Sequence, residues 1–218
     1  MKIFLDTANL GEIRRFNEMG LLDGITTNPT LLFREGKDPH DTMRQIASLV
    51  RGDVSLEVVS TDYEGMLEEG RRLRRCGDNV VVKVPMTSEG LRACRTLTAE
   101  GIPVNVTLVF SPNQAVLAAK AGARYVSPFI GRLDDIGQDG MELVETILEI
   151  FAQYDFDTQV LVASVRHPMH VVEAARLGAH VVTLPPKVLD RMMLHPLTDL
   201  GLESFLNDWK RLQGSPKP

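Results

Sequence analysis

The feature that most constrains this chain is a recurring pattern. Short runs rich in β-branched residues alternate with longer amphipathic stretches from end to end. The strand-like runs are Lys2–Leu5, Gly24–Thr26, Val54–Val58, Val80–Val84, Pro103–Thr107, Tyr125–Ser127, Gln159–Ala163 and Val181–Leu184. They recur every ~20–35 residues, the length of one strand-plus-helix unit. Between them apolar residues return at helical spacing: Ile13 and Phe16; Met43, Ile46, Ala47 and Val50; Leu91, Cys94 and Leu97; Leu143, Ile147 and Ile150. Asp38-Pro39 and Ser111-Pro112 put Pro just inside a helix start, Ser88 stands before the Leu91 helix, and Gly122 and Gly178 end helices just ahead of strands. Eight such units predict an α/β fold, a single (β/α)8 TIM barrel over 1–218. A doubly wound open sheet would carry fewer strands in 218 residues.

Composition fits one domain. The chain is 44% hydrophobic and 24% charged, and no Pro/Ser/Gly-rich linker divides it. A net charge of −5 speaks against nucleic acid or an anionic membrane as partner. The basic run Arg71-Arg72-Leu73-Arg74-Arg75 follows Glu68 and Glu69, so it reads as a charge-paired, solvated helix face. Cys76 and Cys94 are not spaced as a metal or redox pair, which fits a reducing cytoplasm. The N-terminus meets Asp6 too early for a signal-peptide apolar region, and no apolar run approaches a membrane span. A cytoplasmic protein is expected.

Other chemistries lack their motifs. His167, His170 and His180 are not in a metal-ligand pattern, and His40 and His195 are isolated next to prolines or loops. There is no Gly-x-Gly-x-x-Gly, no Walker-type loop and no Gly-x-Ser-x-Gly elbow. No metal or cofactor is therefore expected. Met192-Met193-Leu194 reads as core filling on the last barrel helix. Beyond the eighth unit a further helix is expected at 200–212, carrying Phe205, Leu206 and Trp209, with a tail at 213–218. Eight helices already cover a closed barrel, so this ninth apolar face points to a neighbouring subunit, with its own barrel bottom as the other open choice.

Val80-Val81-Val82-Lys83-Val84-Pro85 places a lysine inside an almost unbroken β-branched run. Such runs form strands buried on both faces of a parallel sheet. A lysine there is buried or points into a cavity. Burial disfavours the ammonium and lowers its pKa, making a neutral amine available for Schiff-base chemistry with a carbonyl. A lysine snorkelling out at a strand end is the competing reading.

The rest of the chain favours the cavity. In a barrel enzyme the chemistry sits at the C-terminal strand ends. Reading those ends gives Asp6, Asn28, Glu57, Lys83, Thr107, Ser127 and Ser164, all polar. One polar residue at a strand end is ordinary turn chemistry; a converging ring of them is not. Asp6 and Glu57 follow apolar runs, where an acid is costly unless paired, and Lys83 is the partner available to both.

Several segments resemble the transaldolase family. They are Leu5-Asp6-Thr7-Ala8-Asn9, Thr26-Thr27-Asn28-Pro29-Thr30, Val82-Lys83-Val84-Pro85, Asn105-Val106-Thr107-Leu108, Ser127-Pro128-Phe129-Ile130-Gly131-Arg132-Leu133-Asp134-Asp135 and Ala163-Ser164-Val165-Arg166. They stand in family order over nearly the whole chain, and its length resembles the small bacterial and archaeal branch. That branch contains transaldolases and fructose 6-phosphate aldolases. The resemblance implies a cofactor-free transfer of a dihydroxyacetone unit from a ketose phosphate to an aldose phosphate. It implies Lys83 as Schiff-base lysine, Asp6 as general acid/base, and Glu57 with Thr107 as the pair positioning water. It further implies Asn28, with Thr26 beside it, on the dihydroxyacetone hydroxyls; Arg132, Ser164 and Arg166 on the phosphate; and Ser127 and Phe129 lining the pocket. It also implies a homo-oligomer, pentamers pairing into a decamer.

Two positions bear on the choice within the branch. Aldolase members resemble this chain but carry Gln in place of Glu57 and Tyr in place of Phe129. A phenolic hydroxyl can help protonate the enamine through water and release free dihydroxyacetone; a phenyl ring cannot. The leading expectation is a transaldolase acting on sugar phosphates, the alternative a fructose 6-phosphate aldolase. A non-catalytic sugar-phosphate-binding barrel comes third.

Overall fold

Each β-rich run forms a strand: β1 (Lys2–Asp6), β2 (Gly24–Thr26), β3 (Asp53–Glu57), β4 (Val80–Pro85), β5 (Val104–Val109), β6 (Tyr125–Pro128), β7 (Gln159–Val162) and β8 (Val181–Leu184). In the computed structural model, which describes residues 1–214, all eight pair in parallel in chain order and β8 closes on β1. The expected barrel is the observed one. Strand ends shift by one or two residues: β1 runs on to Asp6, and β5 starts at Val104 and reaches Val109. Val80, Val81, Val82 and Val84 are fully buried, as a doubly covered strand requires. Each such side chain contributes about 1.5–3 kcal/mol of burial.

The helices form where caps permit. Asn9 caps α1 (Leu10–Glu18) and Asn28 caps α2 (Pro29–Glu35). Asp38 caps α3 (Pro39–Leu49) and Asp62 caps α4 (Tyr63–Arg74). α5 (Ser88–Ala99) corrects one expectation, since its cap is the Thr87 hydroxyl, which accepts from Gly90 N, and Ser88 is already helical. α6 (Pro112–Lys120) starts at Ser111-Pro112 as expected, though the Ser111 side chain makes no capping bond. α7 (Ile130–Asp134) and α8 (Gly140–Gln153) follow β6, α9 (Pro168–Arg176) follows β7, and α10 (Pro186–Met193) follows β8. Gly122 and Gly178 end α6 and α9 with φ of 89° and 80°, the left-handed conformation that favours glycine. On α4, Arg71 pairs with Glu100 at 2.6 Å, not with the expected Glu68 and Glu69.

The lower half of the barrel lumen is packed. Phe4, Val81, Tyr125, Leu161 and Val181 fill it, with the Phe4 and Tyr125 rings edge-to-face at 5.9 Å. Gly24 is required here, because a Cβ would lie 2.5 Å from both the Phe4 ring and the Asp53 carbonyl. The Tyr125 hydroxyl donates to Asp53 Oδ2 at 2.7 Å, and Arg124 Nε donates to the same oxygen at 2.7 Å. Burial, then the Asp53 bond, pushes the Tyr125 phenol up to about 12.

The C-terminal region departs from expectation. α11 begins at Pro196, one turn before 200, and runs to Gly214, so Gln213 and Gly214 are helical; 215–218 lie outside the described residues. The helix stands off the barrel: Phe205 is 74% and Trp209 59% exposed, and Leu197, Leu200, Leu202, Leu206 and Leu212 are exposed too. Met192, Met193 and Leu194 are exposed as well, so they do not fill the core. The face of α10 that buries Val188 and Leu189 continues into them, but among the described residues nothing covers that last turn.

Candidate active site

A cavity of about 520 Å³ opens above the packed lumen at the C-terminal ends of the strands. Ten of the eleven expected site residues line it: Asp6, Thr26, Asn28, Glu57, Lys83, Ser127, Phe129, Arg132, Ser164 and Arg166. Thr107 does not. It is fully buried behind the wall, and its hydroxyl has no hydrogen-bond partner among the described residues.

The floor is built by register. Glu57 on β3 faces Lys83 on β4, and Lys83 Nζ lies 3.0 Å from Glu57 Oε2. Lys83 Nζ also donates to the Thr27 carbonyl at 3.3 Å. Its side chain is 6% exposed, so it is buried and does not snorkel. Asp6, level with Thr26 in the β1–β2 pairing, accepts from the Thr26 hydroxyl at 2.8 Å. The expected Asp6–Lys83 pair is thus not a contact; Lys83 acts on Asp6 through space. Burial raises the Asp6 carboxyl above its usual range, against the opposing pull of the Lys83 charge and the Thr26 bond. A carboxyl raised in this way is a better proton acceptor than an ordinary surface carboxylate.

Neighbouring strands hold this floor in place. Asn105 on β5, fully buried, accepts from the Ser127 hydroxyl at 2.8 Å and donates to Ser55 Oγ at 3.3 Å. Asn28 spends its side-chain carbonyl capping α2, accepting from Leu31 N at 3.0 Å, which leaves its amide hydrogens for the cavity. Asn105 lies in the segment Asn105-Val106-Thr107-Leu108 but is not among the site residues the sequence predicts. A second unexpected residue is Thr183 on β8, which lines the cavity and bonds Thr26. Inside a strand of β-branched residues its threonine carries no sequence signal.

The rim is cationic. Arg132 on α7 stacks its guanidinium 4.9 Å from the centre of the Phe129 ring, and Arg166 forms an ion pair with Asp135 at 2.7 Å. Arg34, at the end of α2, is a third arginine on the cavity wall that sequence reasoning did not single out. Gly131 lets α7 approach the β7 loop: a Cβ there would lie 2.1 Å from the Ser164 carbonyl. His170 joins the two segments, accepting from Arg166 N on Nδ1 at 3.3 Å and contacting Asp134 through Nε2 at 3.0 Å. Burial, then the neighbouring His167, lowers its pKa, which keeps Nδ1 free to accept. Among the described residues no group of three or more His, Cys, Asp or Glu side chains is arranged to hold a metal, and no helix is long and apolar enough to cross a membrane.

Two wall residues carry backbone strain. Leu108 has φ 61° and Ser164 φ 63°, both left-handed and neither glycine. Leu108 lies where the β5–β6 register slips between Val106 and Val109, so the kink directs the end of β5. Such outliers persist where surrounding structure holds them, and functional sites are where they cluster.

Comparison with known proteins identifies the family. The model of the Transaldolase/Fructose-6-phosphate aldolase family matches residues 3–215. A protein of Nitrosopumilus maritimus named "Probable transaldolase" is 69% identical over 98% of this chain and 96% of its own length. One of Aquifex aeolicus with the same name is 59% identical over 99% of this chain and all of its own. Among solved structures, a thiamine phosphate pyrophosphorylase from Pyrococcus furiosus superposes with a TM-score of 0.60 at 16% identity, over 84% of this chain and 85% of that one. That likeness concerns the fold alone. The residues brought together at the strand ends and the match over almost the full chain lead to one statement: this protein belongs to the transaldolase/fructose-6-phosphate aldolase family.

Proposed function

We propose that this protein is a transaldolase that works through a Schiff base on Lys83. The observation that carries the reading is a buried lysine on the floor of a polar cavity, 3.0 Å from Glu57, with Asp6 on the adjoining wall. The Lys83 amine adds to the ketone carbon of a ketose phosphate, and loss of water gives the iminium. Asp6 takes the proton of the hydroxyl two carbons away. The carbon–carbon bond breaks, its electrons move into the iminium to give an enamine, and an aldose phosphate leaves. The enamine then attacks a second aldose phosphate, Asp6 returns the proton, and water hydrolyses the new imine. The iminium itself receives the charge of the developing carbanion, so the chemistry asks for no metal or other cofactor.

The other roles follow from chemistry and the family. Glu57 and Thr107 hold the water of imine formation and hydrolysis, the role the family resemblance implies for this carboxylate and hydroxyl. Asn28 and Thr26 hold the dihydroxyacetone hydroxyls, and Ser127 and Phe129 shape the pocket. Arg132, Ser164 and Arg166 bind the phosphate, for which guanidinium forks are well matched. Phe129 offers no hydroxyl to protonate the enamine, so release of free dihydroxyacetone is not favoured. Donors are the six- and seven-carbon ketose phosphates and acceptors the three- and four-carbon aldose phosphates, in the pentose phosphate pathway. The assignment to the cytoplasm rests on two free, separated cysteines, Cys76 and Cys94. The assignment to a homo-oligomer rests on the uncovered apolar side chains of α11.

Product analysis tests the activity. With fructose 6-phosphate alone, little product is expected beyond one turnover. Adding erythrose 4-phosphate should give sedoheptulose 7-phosphate and glyceraldehyde 3-phosphate in equal amounts. Sustained release of dihydroxyacetone without an acceptor would contradict the reading and identify an aldolase.

A further inference from the structure

We infer that Thr183 is a positioning residue for Asp6, acting through the hydroxyl of Thr26. The inference rests on the reading of Asp6 as acid and base. Thr183 lies on β8 and Thr26 on β2, the two strands that flank β1. Strands two apart in a sheet are separated by roughly 9–10 Å of backbone. The two side chains nevertheless meet in front of β1, with 2.6 Å between hydroxyl oxygens, and both are almost fully buried. Thr26 Oγ1 is at the same time 2.8 Å from Asp6 Oδ1.

Proton counting gives this chain a direction. A hydroxyl has one hydrogen. While Asp6 is a carboxylate it can only accept, so the Thr26 hydrogen goes to Asp6. The short contact to Thr183 is then satisfied only if Thr183 donates to Thr26. A hydroxyl that accepts one hydrogen bond donates a stronger one. Thr183 therefore reinforces the bond that favours the ionised form of Asp6. When Asp6 carries the proton, both bonds can reverse: Asp6 donates to Thr26, and Thr26 to Thr183. The pair thus tracks the protonation state of Asp6 from the side, without taking or giving a proton to the substrate. The simpler alternative is two threonines filling a polar layer of the lumen, and the pH dependence separates the two.

The variants are Thr183→Val, which keeps the β-branched shape and removes the hydroxyl, and Thr183→Ser, which keeps the hydroxyl. Cleavage requires the Asp6 carboxylate, so kcat/KM falls at low pH as Asp6 protonates. Thr183→Val should move that acid limb to higher pH by roughly half a unit or more, the scale of one lost hydrogen bond. Thr183→Ser should restore the wild-type limb. The carboxyl of Asp6 should be titrated directly as well, by 13C NMR with Asp6→Asn identifying its signal. A shifted Asp6 titration in Thr183→Val, restored by Thr183→Ser, supports the relay. If that shift occurs but the kinetic limb does not follow, the relay stands and the catalytic reading of Asp6 fails. An Asp6 titration unchanged in Thr183→Val, or equally altered in Thr183→Ser, overturns the inference.

Discussion

Glu57 and Lys83 stand opposite one another on neighbouring parallel strands, their charged atoms 3.0 Å apart and their side chains 17% and 6% exposed. A buried pair is weak evidence for stability, but removing one partner strands the other. Glu57→Ala should therefore destabilise the fold by about 3 kcal/mol, read by denaturant unfolding. It should also slow imine formation in single-turnover experiments, because the water pair has lost its carboxylate. Unchanged stability together with normal imine formation would contradict the pairing.

Asp6→Asn should have the opposite effect on stability. The Asp6 carboxyl is raised above the ordinary 3.8, chiefly by burial. The folded state then holds its proton more tightly than the unfolded chain, so stability falls as pH rises from about 3.8 through the folded value. The ionised carboxylate, desolvated at the end of β1, is a cost that asparagine lacks. Asp6→Asn should melt higher than wild type at pH 7, and the gap should close on acidification. Each 1 kcal/mol gained would appear as roughly 2–4 °C for a chain of this size. Catalysis should stop after imine formation, so the adduct accumulates.

The arginines should separate by what they already bind. Arg132 is stacked on Phe129, whereas Arg166 must loosen its 2.7 Å pair with Asp135 to take a phosphate. Arg132→Ala should raise KM for phosphorylated sugars at a cost of roughly 2–4 kcal/mol, as for a charge-assisted contact. Arg166→Ala should cost less. Neither should much alter the use of unphosphorylated dihydroxyacetone. Equal losses on both substrate types would show that these residues support the fold.

The exposed face of α11 makes a claim about assembly. Deleting 196–218 removes Leu197, Leu200, Phe205 and Trp209 without touching the barrel strands. Light scattering should then find a folded species of smaller mass than the full chain. A truncated protein that keeps the full-length oligomer mass would sink the idea that this helix docks on a neighbour.

Much of this was legible in the sequence, for identifiable reasons. The strands declared themselves because doubly covered strands must be apolar on both faces, as Val80–Val84 are. Lys83 was visible because it interrupts such a run. Asn105 and Thr183 stayed hidden because small polar residues in a strand look the same whether they face a cavity or a turn. The left-handed backbone at Leu108 and Ser164 leaves no mark without glycine. The Asp6–Lys83 contact was misjudged because opposite charges suggest pairing, while the register gives Lys83 to Glu57 and Asp6 to Thr26. Ser88 was misread as a cap because Thr87, one residue earlier, offers the same chemistry. Met192–Leu194 were misread because helical periodicity tells which face is apolar but not whether anything covers it.

The central claim is covalent, and one measurement addresses it directly. The protein is incubated with fructose 6-phosphate, reduced with borohydride, digested and analysed by mass spectrometry. The expected result is a three-carbon adduct on the peptide containing Lys83 and on no other, abolished in Lys83→Met. An adduct on Lys120 or Lys187, or no adduct at all from a protein that still turns over, would contradict the Schiff-base mechanism at Lys83.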